Sequence, residues 1–270
     1  MQILKTTQDI AKMKAACEAA ASVLDYIEPF IQAGVTTYEL DQLCLKYITE
    51  VLHAKSATIG YQMSPEFPPY PGSVCISPNH VVCHGIPNDK KLKNGDILNI
   101  DVTVIKDGWY GDTSRMFTVG TPSILAKRLI DITYESMWKG IEKVRPGATL
   151  GDIGHAIQTH AQNAGFSVVR EYCGHGVGKI FHDEPQILHY GKPNTGMKLF
   201  EGLTFTIEPM INAGKKDIKH LSDGWTVVTK DHSLTAQWEH VVRVTADGYE
   251  VLTLSPNCPP PPSFVKSANT

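Results

Sequence analysis

The sequence lacks several features that would mark a specialised class of protein. Its six cysteines include no C-x-x-C pair, which argues against a zinc ribbon or a dithiol redox motif. No apolar run is long enough to span a membrane, and the N-terminal residues lack the apolar segment of a secretory signal. A net charge of −3 without a basic stripe gives no indication of nucleic-acid binding. We therefore expect a cytoplasmic protein with reduced cysteines and with neither a membrane nor a nucleic-acid partner.

The composition is that of an ordinary globular protein. Hydrophobic residues make up 42% of the 270 residues and charged residues 20%. A chain of this length can bury a large core. We predict a single domain over residues 1–255. Because Pro259 to Pro262 are four consecutive prolines, we predict that residues 256–270 form an extended, flexible tail.

Capping signals predict four helices and a long hairpin. Capping boxes are predicted at Thr36 and Thr149, because each threonine is followed three residues later by an acidic residue. A proline at the first helical position marks another start at Thr121-Pro122. The predicted helices cover residues 7–34, 36–53, 121–145 and 149–165. Residues 96–119 are predicted to form a hairpin, and residues 56–86 to form loops with short strands.

Acidic residues recur on the polar face of segments that resemble strands. In Ile97–Val104 every second residue is apolar, whereas Asp101 lies on the other face with Asn99 and Thr103. Glu208 and Glu239 likewise lie on the polar faces of their own alternating segments, residues 203–209 and 235–241. Since a period of two places alternate residues on one side of a sheet, these carboxylates can converge on one polar pocket.

The acidic pattern occurs twice along the chain. One copy carries Asp101 and Asp112 on either side of a turn, and the other carries Glu208 and Glu239. The repetition indicates two pseudo-equivalent halves that face a shared site. Crowded, partly buried carboxylates repel one another, and a divalent cation removes that repulsion. Each acid taken alone could equally be a solvated or salt-bridged strand residue.

Three histidines lie near these segments. His175 lies between two glycines, and glycine allows a loop to bring one imidazole into a crowded site. Oxygen ligands with a single imidazole suit Mn, Fe, Co or Zn in an open, catalytic site. The loop has no following Lys-Ser/Thr, so phosphate binding is not predicted. Cys83 precedes His84, but neighbours on a strand point to opposite faces, so a thiol nucleophile is not predicted either.

Taken together, five motifs resemble those of the methionine aminopeptidases, in the same order and from the first helix to about Leu254. They are Val82–Pro87, the pair Asp101 and Asp112, Cys173–Gly178, Thr206–Pro209 and Gln237–His240. The resemblance implies an α+β fold of the pita-bread type, in which two pseudo-symmetric halves with antiparallel sheet enclose a dinuclear metal site. The short interval between Glu208 and Glu239 and the short N-terminal region resemble the minimal bacterial type I form.

The resemblance also implies a role for each ligand. Asp112 and Glu239 would bridge two divalent ions, Asp101 would complete one of them, and His175 with Glu208 would complete the other. The ions would be Co, Mn, Fe or Zn, and a hydroxide that bridges them would attack the scissile carbonyl. The free α-amine of the substrate would bind at a metal, which would confine cleavage to the terminal residue.

Other residues would act on the substrate. Glu208 would shuttle the proton of the attacking water to the leaving amine, and His84 and His182 would contact the substrate and stabilise the tetrahedral intermediate. An apolar, aromatic slot would hold the methionine side chain. The matching positions are Tyr61, Tyr70, Cys75, Phe181 and Trp225, with His84 at the edge of the slot; without the resemblance, these aromatic residues would be assigned to ordinary core packing.

We therefore expect a methionyl aminopeptidase that removes N-terminal methionine from peptides and nascent proteins whose second residue is small. A monomer is expected, and transient association with the ribosome would suit an enzyme of nascent chains. One alternative is an Xaa-Pro peptidase of the same fold, such as aminopeptidase P or prolidase, although those enzymes carry an additional N-terminal domain. The other is a metal-free pita-bread module that only binds peptides or proteins, in which ligands would be lost.

Overall fold

The computed structural model describes Met1 and residues 3–265. These residues form the helices α1 (Thr7–Ile27), α2 (Thr37–Lys46), α3 (Ile124–Ile141) and α4 (Leu150–Asn163). Their strands are β1 (Lys55–Ser56), β2 (Cys75–Pro78), β3 (Val81–Cys83), β4 (Ile97–Lys106), β5 (Trp109–Thr118), β6 (Ser167–Val168), β7 (Gly174–Gly176), β8 (Asp183–Ile187), β9 (Thr204–Ile207), β10 (Met210–Asn212), β11 (Ile218–His220), β12 (Val227–Thr229), β13 (Thr235–Gln237), β14 (His240–Val244) and β15 (Tyr249–Val251). Within this part of the chain, no helix has the length and apolar character needed to cross a bilayer.

Three of the helices begin at their predicted caps, whereas α3 does not. Helix α2 ends at Lys46 and is followed by a π-helical turn over Tyr47–Val51, whereas the prediction extended it to residue 53. The capping boxes at Thr36 and Thr149 are both formed. The first helix was predicted to continue to residue 34, which is wrong, because Pro29 lies in a separate 3₁₀ turn after Ile27. The third helix begins after Ser123, whose hydroxyl accepts a hydrogen bond from the Ala126 amide, and not at the predicted proline.

The first half of the molecule is built on the predicted hairpin. Strands β4 and β5 pair along ten residues each, and β1 and β2 pair with β4. The apolar face of β4 is fully buried against α1 and α2. Helix α1 packs very closely on β5, since a Cβ atom at Gly111 would lie 2.0 Å from the Ala16 carbonyl oxygen. The opposite face of β4 is polar and carries Asp101.

The second half places two helices over a larger sheet. Helices α3 and α4 pack on each other, with Trp138 and Ile157 fully buried between them and the strands. The five-stranded sheet has the order β15-β14-β9-β7-β8, and β13-β10-β6 form a smaller sheet beside it. Strands β11, β12 and β3 form another small sheet. In it β3, the strand just before His84, pairs with β12 of the second half. The strand pairings among the described residues are antiparallel.

The two halves are joined by hydrogen bonds at the acidic segments. The Glu239 amide donates to the Ser114 carbonyl oxygen at 3.2 Å, and the Thr113 hydroxyl donates to the Glu239 carbonyl oxygen at 2.8 Å. The Asn99 side-chain amide donates to the Gln237 carbonyl oxygen at 2.8 Å. These bonds bring the acids of both halves to one seam, as the doubled pattern predicts.

The proline-rich segment contacts the body of the protein as far as it is described. The Tyr134 hydroxyl donates to the Pro259 carbonyl oxygen at 2.6 Å, and the Lys139 ammonium lies 3.2 Å from the centre of the Phe264 ring. Pro259 and Phe264 therefore contact α3, and a flexible tail over residues 256–270 stays a prediction. The rest of the predicted tail, residues 266–270, lies outside the described residues, and the boundary at residue 255 stays a prediction.

Candidate metal centre and substrate pocket

Four carboxylates converge at the seam between the halves. Asp101 lies on β4 and Asp112 on β5, whereas Glu208 follows β9 and Glu239 lies between β13 and β14. Asp112, Glu208 and Glu239 are buried, and Asp101 is half-buried. Strand β4 directs Asp101 inward because its other face is apolar and packs in the core.

His175 supplies a nitrogen ligand to this cluster from β7. Its Nε2 lies 3.5 Å from Asp112 Oδ2 and 3.7 Å from Glu208 Oε1. One ligand atom each from Asp112, His175 and Glu239 lie within 4.8 Å of one another. The other ring nitrogen, Nδ1, lies 3.1 Å from the Gly176 carbonyl oxygen, to which an Nδ1–H group donates. That bond leaves the Nε2 lone pair directed at the carboxylates, as a metal-binding histidine requires.

Burial and mutual repulsion raise the pKa values of these acids. Burial, followed by the charge of Asp112, raises the pKa of Asp101, Glu208 and Glu239 well above their ordinary values. Burial also raises the pKa of Asp112, although His175 and a hydrogen bond from Thr103 oppose the rise. The polypeptide alone therefore favours protonated acids here, so these carboxylates require positive charge in order to ionise together.

Hydrogen-bond donors hold two of the acids in fixed orientations. The Thr103 hydroxyl donates to Asp112 Oδ1 at 2.7 Å, and the Thr206 hydroxyl donates to Glu208 Oε1 at 2.7 Å. The Glu208 amide donates to Nε2 of the buried His189 at 3.1 Å. Such outer partners orient the ligands of a metal. Thr103 was predicted on the acidic face of β4, whereas His189 was not predicted to belong to the site, because no motif surrounds it.

The donor set fits divalent cations. It combines several carboxylate oxygens with one imidazole nitrogen whose free lone pair points at them, and it contains no thiolate, unlike the closed, sulfur-rich sites of structural zinc. Asp112, His175 and Glu239 would hold one part of the site. Glu208 and Asp101 adjoin them, which agrees with the ligand set that the resemblance implies.

Two further histidines lie beside the cluster. His84 is half-buried, and burial followed by the charge of His220 lowers its pKa to about 4. Loss of solvation in the cavity, followed by the charges of His175 and His84, lowers the pKa of His182. These shifts favour the neutral form of both imidazoles, and a neutral imidazole can still donate one N–H group to an oxygen atom.

An aromatic slot adjoins the cluster in the same cavity and contacts the two histidines. Tyr70, Cys75 and Trp225 are buried and pack together, and Tyr61 lies partly buried against them. The Tyr61 ring lies 5.2 Å from the Phe181 ring, and the Tyr70 ring lies 5.3 Å from the Trp225 ring. An unbranched thioether fits a slot of this kind and gains contacts with the rings.

All of the predicted side chains line one cavity of about 350 Å³. They are Asp101, Asp112, His175, Glu208, Glu239, His84, His182, Tyr61, Tyr70, Cys75, Phe181 and Trp225. The described chain thus places an acidic, metal-compatible cluster directly beside an apolar slot. A site of this composition could bind the terminal residue of a peptide and hydrolyse the bond that follows it.

Comparison with known proteins identifies the family. The sequence model of metallopeptidase family M24 matches residues 11–246. Methionine aminopeptidase of Escherichia coli K12 is 57% identical over 252 residues, which are 93% of each chain. The relative from Rickettsia prowazekii is 57% identical over 94% of this chain and 95% of its own length. The chain belongs to the methionine aminopeptidases of metallopeptidase family M24.

Solved structures of methionine aminopeptidases have the same fold. The crystal structure from Rickettsia prowazekii matches with a TM-score of 0.90 and 56% identity, covering 94% of this chain and all of that one. The Thermotoga maritima enzyme matches with a TM-score of 0.89 and 39% identity, again covering 94% of this chain and 100% of the other. The expected pita-bread fold with two pseudo-symmetric halves is confirmed.

The prolidase alternative agrees less well with these comparisons. Prolidase from Pyrococcus furiosus has a TM-score of 0.72 at 22% identity, and the match covers only 66% of its chain. That likeness shows the shared fold alone. The metal-free alternative also loses support, because the chain belongs to a metallopeptidase family and brings its acids together.

Some residues of the methionine aminopeptidase site were not predicted from the sequence, and the predicted orientation of Cys83 relative to His84 was wrong. Tyr172, Met63 and Met210 also line the cavity. Tyr172 adjoins the His175 motif, a signal that could have been used. Cys83 and His84 both line the cavity, contrary to the prediction of opposite faces, because β3 ends at Cys83 and His84 has a φ of 54°. Burial raises the pKa of the Cys83 thiol well above its ordinary value, which still argues against a nucleophile.

Proposed function

We propose that this chain removes the N-terminal methionine from peptides and nascent proteins whose second residue is small. The observation that carries this proposal is the position of the aromatic slot, which opens directly onto the acidic cluster within one cavity. The methionine side chain would occupy the slot, and the scissile carbonyl would then lie beside the cluster. The family to which the chain belongs supports the same activity.

We infer that Asp101, Asp112, His175, Glu208 and Glu239 hold two divalent ions drawn from Co, Mn, Fe or Zn. When bound, such ions acidify water and polarise the scissile carbonyl. The charge of the ions would also offset the repulsion that raises the pKa values of the acids.

Glu208 is the proposed proton carrier. Thr206 donates to one of its oxygens at 2.7 Å, and the Gln237 side-chain amide donates to the other at 3.3 Å. These bonds hold the carboxylate in place while it accepts a proton from the attacking water and transfers it to the leaving amine.

His84 and His182 are the proposed donors to the carbonyl oxygen. As neutral rings, each can present one N–H group to the negative charge that develops on that oxygen. Tyr61, Tyr70, Cys75, Phe181 and Trp225 would select the methionine side chain by enclosing it. A branched or charged side chain would leave the slot poorly filled or would lose its hydration there.

The decisive experiment is a peptide series that varies the first two residues, with Mn²⁺, Fe²⁺ or Co²⁺ added or withheld. Met-Ala-Ser should be cleaved, Leu-Ala-Ser and Met-Arg-Ser should be cleaved poorly, and an Xaa-Pro peptide should resist. Faster turnover of the Xaa-Pro peptide would instead support the prolidase alternative. Binding of peptide without any turnover, whatever the metal, would support the metal-free module.

We further propose that the enzyme is a cytoplasmic monomer that acts on nascent chains during transient contact with the ribosome. The neutral-to-acidic net charge of −3 argues against a general affinity for RNA. Sedimentation of the purified protein alone would test the monomer. Co-sedimentation with translating ribosomes that display a short nascent chain would test the association.

A further inference from the structure

The Tyr61 hydroxyl lies against a ring nitrogen of His182. The distance between Tyr61 Oη and His182 Nδ1 is 2.7 Å. A contact of this length is a good hydrogen bond. Pocket residues that only enclose an apolar side chain do not need such a bond, so the hydroxyl suggests a second role for Tyr61.

The other contacts of His182 do not determine which of its nitrogens carries hydrogen. The histidine lies in the connection between β7 and β8, where it stacks on the Phe181 ring at 3.9 Å and meets the His175 ring at 4.4 Å. Ring contacts restrict the plane of the imidazole but are the same for both tautomers. Within the described residues, the His182 ring shares its hydrogen bond with the Tyr61 hydroxyl, and the geometry alone allows either group to be the donor.

The position of Tyr61 is itself well determined. The Gly60 amide donates to the Tyr70 carbonyl oxygen, and the Tyr70 amide donates to the Tyr61 carbonyl oxygen, both at 2.9 Å. These bonds close the base of the loop formed by residues 62–69. The Trp225 indole N–H donates to the Pro68 carbonyl oxygen at 2.8 Å and holds the far side of that loop.

We propose that Tyr61 is a positioning residue whose hydroxyl donates to His182 Nδ1 and thereby places the ring hydrogen on Nε2. This inference rests on the proposed function, in which His182 donates an N–H group to the substrate carbonyl oxygen. A neutral imidazole that accepts at Nδ1 has its hydrogen on Nε2. In the opposite tautomer Nε2 would be an acceptor, and it would repel the oxygen that it is required to stabilise.

The test is Tyr61→Phe, which removes one oxygen atom and keeps the ring that lines the slot. With a Met-Ala-Ser peptide we expect kcat to fall about tenfold, in the range seen for partners that orient a reacting group, while KM stays within about twofold. Tyr110→Phe is the matched control. Tyr110 stacks on Phe181 with ring centres 5.5 Å apart, lies outside the cavity lining and should tolerate the same change.

A spectroscopic measurement tests the tautomer without any turnover. Long-range ¹H–¹⁵N correlation spectra of histidine-labelled protein, in the Zn²⁺-loaded form, distinguish a protonated ring nitrogen from an unprotonated one. The His182 signals are assigned from the spectrum of His182→Ala. We expect the wild type to carry hydrogen on Nε2 and Tyr61→Phe to lose that preference. In the His182→Ala background, Tyr61→Phe should cause no further loss of kcat.

The outcomes separate this proposal from the proposed function. If the wild type cleaves the peptide but Tyr61→Phe keeps its kcat, or raises only KM, Tyr61 is a wall of the slot and the proposal is wrong. Hydrogen on Nδ1 in the wild type would also overturn it. If the wild type cleaves no methionyl peptide, the proposed function fails, and the spectra still decide how Tyr61 and His182 are hydrogen-bonded.

Discussion

Removal of bound cations should destabilise this protein by an amount that grows as pH rises. Burial and mutual repulsion raise the pKa values of Asp101, Glu208 and Glu239 well above their ordinary values. The metal-free folded chain therefore keeps protons that the unfolded chain has released. Because the unfolded chain then binds fewer protons, the free energy of unfolding of the metal-free form falls as pH rises from the ordinary pKa values through the raised ones.

The size of the effect follows from the number of protons that the cations displace. Each displaced proton makes metal binding about tenfold tighter per pH unit, which is about 1.4 kcal/mol of added stability at a fixed free metal concentration. For one proton, the stability difference between the loaded and the metal-free forms should grow by about 1.4 kcal/mol for each pH unit over which the acid keeps its proton in the metal-free fold, measured from about pH 5.5 to about pH 7.5. In a chain of this size that corresponds to about 3–6 °C in Tm per pH unit.

The assay compares the two forms at each pH. Thermal melting is followed by circular dichroism, with Mn²⁺ held at a constant free concentration or with a chelator in excess. Burial lowers the pKa of His189 and of His240 to about 3, so these residues also make stability depend on pH. Both forms contain them, and their contributions therefore cancel in the difference.

A difference in Tm that stays constant across this pH range would refute the reasoning. It would mean that the acids are ionised in the metal-free fold despite their burial. Glu208→Gln is compared with the wild type in the metal-free form alone, because it removes one titrating carboxyl but also one of the proposed metal ligands. If the buried acids cause the effect, this variant should show a smaller dependence on pH.

Three other predictions concern the ligands, the donors and the packing of the fold. Asp112→Ala or Glu239→Ala should lower activity more than about 100-fold, beyond the loss typical of outer partners, and reduce bound metal below one ion per chain; two tightly held ions in an elemental analysis would contradict the assignment. His84→Ala should lower kcat about 100-fold with normal metal content, and loss of metal instead would make His84 a ligand. Gly111→Ala should cost about 1–3 kcal/mol in chemical denaturation, because its methyl group would collide with the Ala16 carbonyl oxygen; unchanged stability would show that α1 can shift freely.

Much of the fold could be predicted because local patterns and tertiary packing agree. The alternation in Ile97–Val104 predicted both the strand and its orientation, and its apolar residues are indeed buried beneath α1 and α2. The capping boxes at Thr36 and Thr149 were correct because they depend only on residues three positions apart. The ends of helices were less predictable. The first helix stops at Ile27, where Pro29 and packing set its limit and not the later glycine.

The parts of the site that sequence reasoning missed depend on contacts between distant segments. His189 holds the Glu208 amide from a position nineteen residues away in the chain, with no motif of its own. Met63 reaches the cavity from a proline-rich loop whose path depends on a bond from Trp225 to Pro68. His84 shares the cavity with Cys83 because the strand ends between them. Periodicity describes regular strands, and it fails at positions where a strand ends.

The site therefore consists of two parts that tolerate change differently. The acids lie on or beside paired strands at the seam, where Glu239 is bonded to Ser114 of the other half, so moving one ligand would disturb both halves. Tyr61 and Trp225, in contrast, are connected through the loop of residues 62–69, whose prolines and Phe67 are exposed. Changes in this loop can reshape the slot without touching the cluster. Selectivity for the terminal residue can thus vary within this fold while the acidic cluster stays the same, because different hydrogen bonds hold the slot and the acids.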